Sequence, residues 1–413
     1  MRLALYLSGI LVLAGSASSL LLDVYSNASI CAAAKEIVQG QMDYYEGIKY
    51  GGTVGMFGFP YYWWHAGEVF GGWVDYWAFC AKDNETFSQI LFDAMYAQRG
   101  EFNNYMPENQ TVTEGNDDQG VWGLALMQAV ERNFTNPEDH SWLFFTQALF
   151  NTMNNRWNTS TCGGGLKWQI FTYLNGYYYK NSISNGSLFL LAARLYRFTG
   201  EKFYLDVAEK VWEWMLAIGL IDTSDVVWHL HDGATEGTNC TQLTSWQWSY
   251  TYGIFLSGSA YLYNATGERK WKEATLKFAN ASSYFFNGTI MTETTCSTVG
   301  RCNNDQRSFR SLFSRGLGLT AALIPQIRKR ILNGWLKPSA KAAAQSCSGD
   351  GGSTCGYNWA ADGWDGWWGL GEQMGALEVI MSLITSKVVP LTPDTGAYNV
   401  GGDVNAGNDT ATV

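Results

Sequence analysis

Long basic runs are missing from this chain. Across its 413 residues, 27 Lys and Arg stand against 37 Asp and Glu, for a formal net charge of −10. Nucleic acid, which is held chiefly by Lys and Arg on its phosphates, is excluded as a partner on that ground. Neither a Cys-X-X-Cys nor a His-Glu-X-X-His spacing occurs, so no zinc site and no cofactor are expected. Alternating strand patterns are nearly lacking, which argues against a β-sandwich or an α/β sheet. No Pro/Ser-rich linker interrupts the chain, so a single domain is expected from residue 18 to Lys387. A Gly/Asn/Thr-rich stretch, expected to be a disordered tail, follows over 388–413.

Aromatic residues are abundant, with 19 Trp and 23 Tyr in a chain that is 46% hydrophobic. Such content either fills a large core or offers flat faces to ligands such as sugars. Met1 to Ala17 reads as a signal peptide, with Arg2, an apolar run from Leu3 to Leu13, and Gly15-Ser16-Ala17 for cleavage. That run is too short to span a membrane. Asn-X-Ser/Thr acceptors at Asn27, Asn84, Asn109, Asn133, Asn158, Asn185, Asn239, Asn264, Asn280, Asn287 and Asn408 agree with secretion. The eight cysteines are then expected as disulfides. Cys296 with Cys302 and Cys347 with Cys355 are close enough for local staples. Cys31 with Cys80 would tie the first two helices, leaving Cys162 with Cys240.

Helical periodicity dominates the rest, in about twelve segments. Paired helices recur, and His65, Asp117, Ile183, Gln247, Arg307 and Gly366 mark similar places near the starts of alternate ones, roughly 50 to 66 residues apart. The pattern predicts an all-α fold, an (α/α)6 barrel of six helical hairpins, with Gly-rich inner helices running parallel. Their N-terminal ends would share one mouth.

At that mouth Glu114-Gly115-Asn116-Asp117-Asp118-Gln119-Gly120 runs from a polar loop into an apolar helix. Adjacent aspartates at a helix start are capping groups in the simpler reading. They also suit a glycosidase, in which one carboxyl protonates the leaving oxygen and the other attacks the sugar. Spacing alone leaves retention or inversion open, and leaves open which acid does which. The same mouth is expected to gather His65, Glu68, Asn116, Gln119, Lys167, Trp168, Trp246, Trp248, Tyr250, Asp305, Trp364 and Asp365 as substrate contacts. Its surplus of acids (Glu68, Asp305 and Asp365 beside the pair) predicts an attraction for a cationic sugar such as glucosamine.

Trp63-Trp64-His65-Ala66-Gly67, Gly115-Asn116-Asp117-Asp118-Gln119, Cys162-Gly163-Gly164-Gly165-Leu166-Lys167-Trp168 and Trp248-Ser249-Tyr250 resemble fungal members of glycoside hydrolase family 76, the endo-α-1,6-mannanase-like proteins. The resemblance runs through nearly the whole mature chain. It implies an (α/α)6 fold and a retaining mechanism, with Asp117 as nucleophile and Asp118 as acid/base. It also implies action on α-1,6-mannan or on the mannose core of GPI anchors, with a β-glucan acceptor, at the cell wall or the outer face of the plasma membrane. Membrane attachment is expected only through a GPI anchor, for which Asp409 to Val413 supply no apolar tail. The rival reading is a non-catalytic glycan-binding wall protein on the same fold, which would have lost one of the two acids; both are present.

Overall fold

The computed structural model describes residues 19–110, 113–297, 300–398 and 400–408. The expected signal peptide lies outside them. Helices alternate between an outer and an inner layer: α1 (Asn27–Met42) outside and α2 (Trp63–Cys80) inside, then α3 (Glu85–Ala97) and α4 (Asn116–Glu131), α5 (Trp142–Asn155) and α6 (Ser182–Thr199), α7 (Lys202–Ala217) and α8 (Ser249–Thr266). The series ends with α9 (Arg269–Ala281) outside and α10 (Arg310–Leu323) inside, then α11 (Pro325–Ile331) and α12 (Lys337–Ser346), joined by one π-helical stretch, outside α13 (Leu370–Thr385). The inner helices pack in the cyclic order α2, α4, α6, α8, α10, α13 and back to α2. This is the expected six-pair (α/α)6 barrel.

The inner helices are buried around nearly their whole circumference, which explains both their apolar sequences and their glycines. A Cβ on Gly316 would lie 2.4 Å from the Gly253 carbonyl oxygen, so α8 and α10 touch backbone to backbone only because both positions lack side chains. Polar groups on these helices must find partners inside. Arg194 of α6 meets Glu131 of α4 at 2.7 Å, with the Tyr261 hydroxyl of α8 donating to the same carboxylate. Arg132, just after α4, pairs with Asp75 of α2 at 2.7 Å.

Four disulfides link Cys31 with Cys80, Cys162 with Cys240, Cys296 with Cys302, and Cys347 with Cys355. The second clamps a loop beside the mouth, where three short antiparallel strands (Tyr179–Asn181, Gly233–Thr235, Leu243–Thr244) hold the chain ahead of α6. The Asn185 acceptor lies inside α6 with its side chain bonded to Leu166 and Asn181, so the folded protein does not expose it.

The segment after Lys387 is not a free tail, contrary to its composition. Asn151 donates to the carbonyls of Val404 and Ala406 at 2.9 and 2.8 Å, and Ser141 to that of Gly401 at 3.0 Å. Asn133 exchanges bonds with Gly396 and Tyr398. Backbone groups without secondary structure of their own are satisfied here by side chains of α5 and of the loop before it. Residues 409–413 lie outside the described residues. A chain ending at Lys387 is therefore expected to be less stable by about 2–4 kcal/mol. Denaturant unfolding of the two lengths checks this, and equal midpoints would restore the disordered tail.

Candidate active site

The mouth at the inner-helix N-termini holds a cleft of about 490 Å³. Five of the six helix starts reach it, through Trp64, Asp117 with Asp118, Ile183, Tyr250, and the short 304–308 turn that supplies Asp305 ahead of α10. The sixth start stays behind the wall, where the Leu370 amide donates to the Tyr61 hydroxyl at 2.8 Å.

The start of α4 is fixed by backbone pairing with the glycine-rich loop. The Asn116 amide donates to the Trp168 carbonyl at 2.8 Å, and the Asn116 side chain donates to the Lys167 carbonyl at 3.0 Å. Arg156 holds that side chain from the other end, 2.8 Å from its oxygen, and also bonds Gln119. Asp118 accepts the Gly115 amide on Oδ2 at 2.6 Å, as a capping carboxylate does. The Asp118 amide in turn donates to Asp117 Oδ1 at 3.1 Å. Capping and catalysis are therefore compatible, since one oxygen of Asp118 serves the helix and leaves the other for chemistry.

Gly115 has an ordinary extended backbone, φ −101° and ψ 166°, so its lack of a side chain has a steric cause. A Cβ there would lie 2.4 Å from Asp117 Oδ1 and 2.8 Å from Asp118 Oδ2. The two oxygens are thus closer together than those two distances laid end to end. That bound applies to the two helix-facing oxygens and is compatible with the ~5–5.5 Å carboxyl separation of retaining glycosidases.

Desolvation of the two partly buried carboxyls disfavours charge, but unequally. Asp117 is pushed up to about 7, chiefly by desolvation, against hydrogen bonds from the Asp118 amide and the Trp168 side chain that favour its anion. Asp118 is pushed well above the usual carboxylate range by burial and by the neighbouring Asp117 charge. The pair thus holds one proton on Asp118 while Asp117 ionises first.

Among the other residues expected at the mouth, Trp168, Tyr250 and Asp305 line the cleft. Tyr250 lies flat on Phe309, with ring centroids 3.8 Å apart. Asp305 accepts the Trp64 indole N–H at 3.3 Å. His65 is fully buried behind that contact, its ring stacked on Trp64 and its Nε2 3.6 Å from Asp305. Its Nδ1 accepts the Tyr62 amide, and burial lowers it to about 3, so the ring is neutral.

The rest do not line the cleft. Glu68 sits a turn deeper in α2, 2.9 Å from Arg315 in the barrel interior. Asn116 and Gln119 are buried and hold loops, Gln119 through the Asn104 carbonyl. Lys167 turns to Glu236 at 2.9 Å and to the Tyr177 ring. Trp248 is packed with Phe309, and Trp246 stands exposed outside the cleft. Trp364 and Asp365 belong to a loop rather than a helix start, because the Asp365 carboxylate collects the amides of Tyr357, Asn358 and Trp367. With Glu68 and Asp365 elsewhere, the predicted surplus of acids at the mouth shrinks, and with it the argument for a cationic sugar.

A family model, that of glycosyl hydrolase family 76, matches residues 29–394. The chain belongs to this family. It is 56% identical over 96% of its length to mannan endo-1,6-alpha-mannosidase DFG5 of Candida albicans, covering 88% of that protein. To the DFG5 protein of Saccharomyces cerevisiae it is 51% identical, over 95% of this chain and 86% of that one. The crystal structure of Dfg5 from Chaetomium thermophilum in complex with glucosamine superposes with a TM-score of 0.86 at 33% identity, over 93% of this chain and 97% of that one. An inactive double Asp-to-Asn variant of a Salegentibacter α-1,6-mannanase, bound to α-1,6-mannotriose, shares the fold at a TM-score of 0.69 and 16% identity, over 86% and 99%.

Within this family 76 cleft, the wall holds a residue to which sequence reasoning gave no role. Glu114 is 2% exposed, lines the cleft, and neither of its carboxyl oxygens has a partner among the described residues. Burial pushes its carboxyl well above the usual carboxylate range, with Arg156 opposing. The signal was present in its position, one residue before Gly115. Trp64 and Phe309, which form the aromatic side of the cleft, were equally unmarked because any one ring in a Trp-rich chain is more often core.

The raised Asp117 value has a stability consequence. A carboxyl whose folded pKa lies above its unfolded one stabilises the fold by its proton below the unfolded value near 4, and that stability is lost as pH rises through about 7. Asp117→Asn is expected to match the wild type at pH 4 and to exceed it by on the order of 2 kcal/mol at pH 8. Chemical denaturation at the two pH values checks it, and a variant equally stable to wild type at both would contradict the assigned burial cost.

Proposed function

We propose that this family 76 glycoside hydrolase is a retaining enzyme acting on α-linked mannosides, with Asp117 as nucleophile and Asp118 as acid/base. The observation that supports this most is the acid pair held together over Gly115, with the proton on Asp118. Asp118 gives its proton to the glycosidic oxygen as the bond breaks. Asp117 attacks the anomeric carbon from the opposite face and forms a β-mannosyl ester. Asp118, now a base, takes a proton from the incoming hydroxyl, which displaces Asp117 and restores the α configuration. Trp64, Tyr250 and Phe309 offer apolar faces to the sugar rings.

The substrate we propose is α-1,6-mannan or the mannose-containing core glycan of GPI anchors, in the cell wall or extracellular space. The name shared by the curated relatives supports the first, and the glucosamine bound to the Chaetomium relative supports the second. A sugar hydroxyl, from a β-glucan acceptor, replaces water in the second step. Mass spectrometry of products from α-1,6-mannan and from GPI-core glycan, with and without β-glucan, tests this. Linked mannosyl–glucan products are expected; free sugars alone in every mixture would reduce the activity to hydrolysis.

A further inference from the structure

A second cavity of about 610 Å³ lies on the other side of the wall formed by the 304–310 segment. Asp305 and Phe309 face the catalytic cleft, while Arg307 and Arg310 face this one. Among the described residues four arginines are buried: Arg132, Arg194, Arg310 and Arg315. Three are paired, with Asp75, with Glu131, and with Glu68 and Glu378. Among the described residues, Arg310 alone of the four has no carboxylate at ion-pair distance.

Arg310 is 1% exposed. Its Nη2 donates to the Tyr357 carbonyl at 2.7 Å and its Nη1 reaches the Met291 carbonyl at 3.5 Å, while its Nε has no acceptor among the described residues. The Trp359 ring lies 4.0 Å from the guanidinium, and the Trp359 indole N–H is also buried without an acceptor among the described residues. The nearby acids are engaged elsewhere. Asp365 collects three amides, Glu372 lies 3.2 Å from Arg307, and Glu293 bonds the amide and hydroxyl of Ser249. Burying a guanidinium with no carboxylate at ion-pair distance is costly, and the cost is offset when an anion enters. The remaining walls carry the Ser297 and Tyr357 hydroxyls, Asn358, and the half-exposed face of Trp367.

We propose that this cavity binds a phosphate group carried on a sugar, with Arg310 and Trp359 donating to its oxygens and Trp367 covering the ring. Donors from two different side chains suit a tetrahedral oxyanion better than a planar carboxylate, which arginine meets in a single plane. The sugar assignment rests on the glycan reading of the adjoining cleft. The phosphate assignment does not, because the cavity is outside the acid pair and its occupancy is read by binding rather than turnover.

Calorimetric titration of the wild-type chain at low salt with mannose 6-phosphate, mannose, glucuronate and inorganic phosphate tests it. Mannose 6-phosphate is expected to bind at least 10-fold tighter than the other three. Arg310→Gln is the direct variant but removes a buried side chain, so Thr292→Glu serves beside it. Thr292 lines the same cavity, next to the Met291 carbonyl that Arg310 contacts. A carboxylate there is expected to pair with Arg310, abolish mannose 6-phosphate binding and raise the melting temperature. Phosphate bound as tightly as its sugar ester would overturn the sugar assignment. Glucuronate bound tighter than the ester would overturn the phosphate assignment, and no binding by any of them, or unchanged ester binding in Thr292→Glu, would overturn the site.

Discussion

Asp117→Ala and Asp118→Ala are each expected to lower turnover of α-1,6-mannan about 10³-fold or more, without unfolding the chain. Both carboxyls are only partly buried and stand at a cleft, so truncating either leaves no hole in the core. Loss of activity alone would not separate the two roles. Azide does. With a dinitrophenyl α-mannobioside, the leaving group needs no proton, and Asp118→Ala still forms the mannosyl ester on Asp117. Azide then attacks that ester from the face the leaving group left and gives the α-azide. In Asp117→Ala no ester forms, and azide occupies the space of the missing carboxylate, attacks from the opposite face and gives the β-azide. The proton balance in the structure predicts this division, because burial and the Asp117 charge raise Asp118 well above the usual range against the Gly115 amide, while the Asp118 amide and the Trp168 side chain hold Asp117 to about 7. The same anomer from both variants would overturn the assignment.

The ring of inner helices was legible because the physical signal repeats. Each inner helix needs apolar residues on all faces and glycine where backbones meet, and the chain supplies both at a regular spacing. Contacts that depend on depth or direction were less legible. Glu68 follows His65 by three residues, which places it ~4.5 Å further along the helix axis and inside the barrel with Arg315. Lys167 was read as facing the mouth, but its charge partner Glu236 is far away in sequence and no local pattern announces it. Trp364 and Asp365 were assigned to a helix start that lies further on, at Leu370. Gly363 and Gly366 have φ of 101° and 84° there, and the Asp365 carboxylate replaces a helical turn with a loop of accepted amides. The acid pair itself was legible as two adjacent aspartates at a helix start. Its one-proton state was not, since that comes from the closing of the barrel mouth over it.

The glycine before the pair provides the other large effect. Gly115→Ala is expected to lower turnover about 10²-fold or more, the scale on which misplacement of a catalytic group by ~1 Å acts. The added methyl would overlap Asp117 Oδ1 and Asp118 Oδ2 and approach the Trp168 carbonyl at 3.1 Å, so at least one carboxylate must turn away. The backbone angles at Gly115 are open to any residue, so strain does not confound the experiment. Alanine is a poor N-cap, however, and costs about 1 kcal/mol relative to better caps. Gly115→Ser separates the two effects: serine restores capping but brings the same Cβ. Both variants are expected to lose activity alike, with Ser the more stable. Their azide chemistry should also blur, since a displaced nucleophile and a displaced acid fail together. Full activity in Gly115→Ser would mean that the two carboxylates are not held against this position, and the close spacing on which retention rests would fall with it.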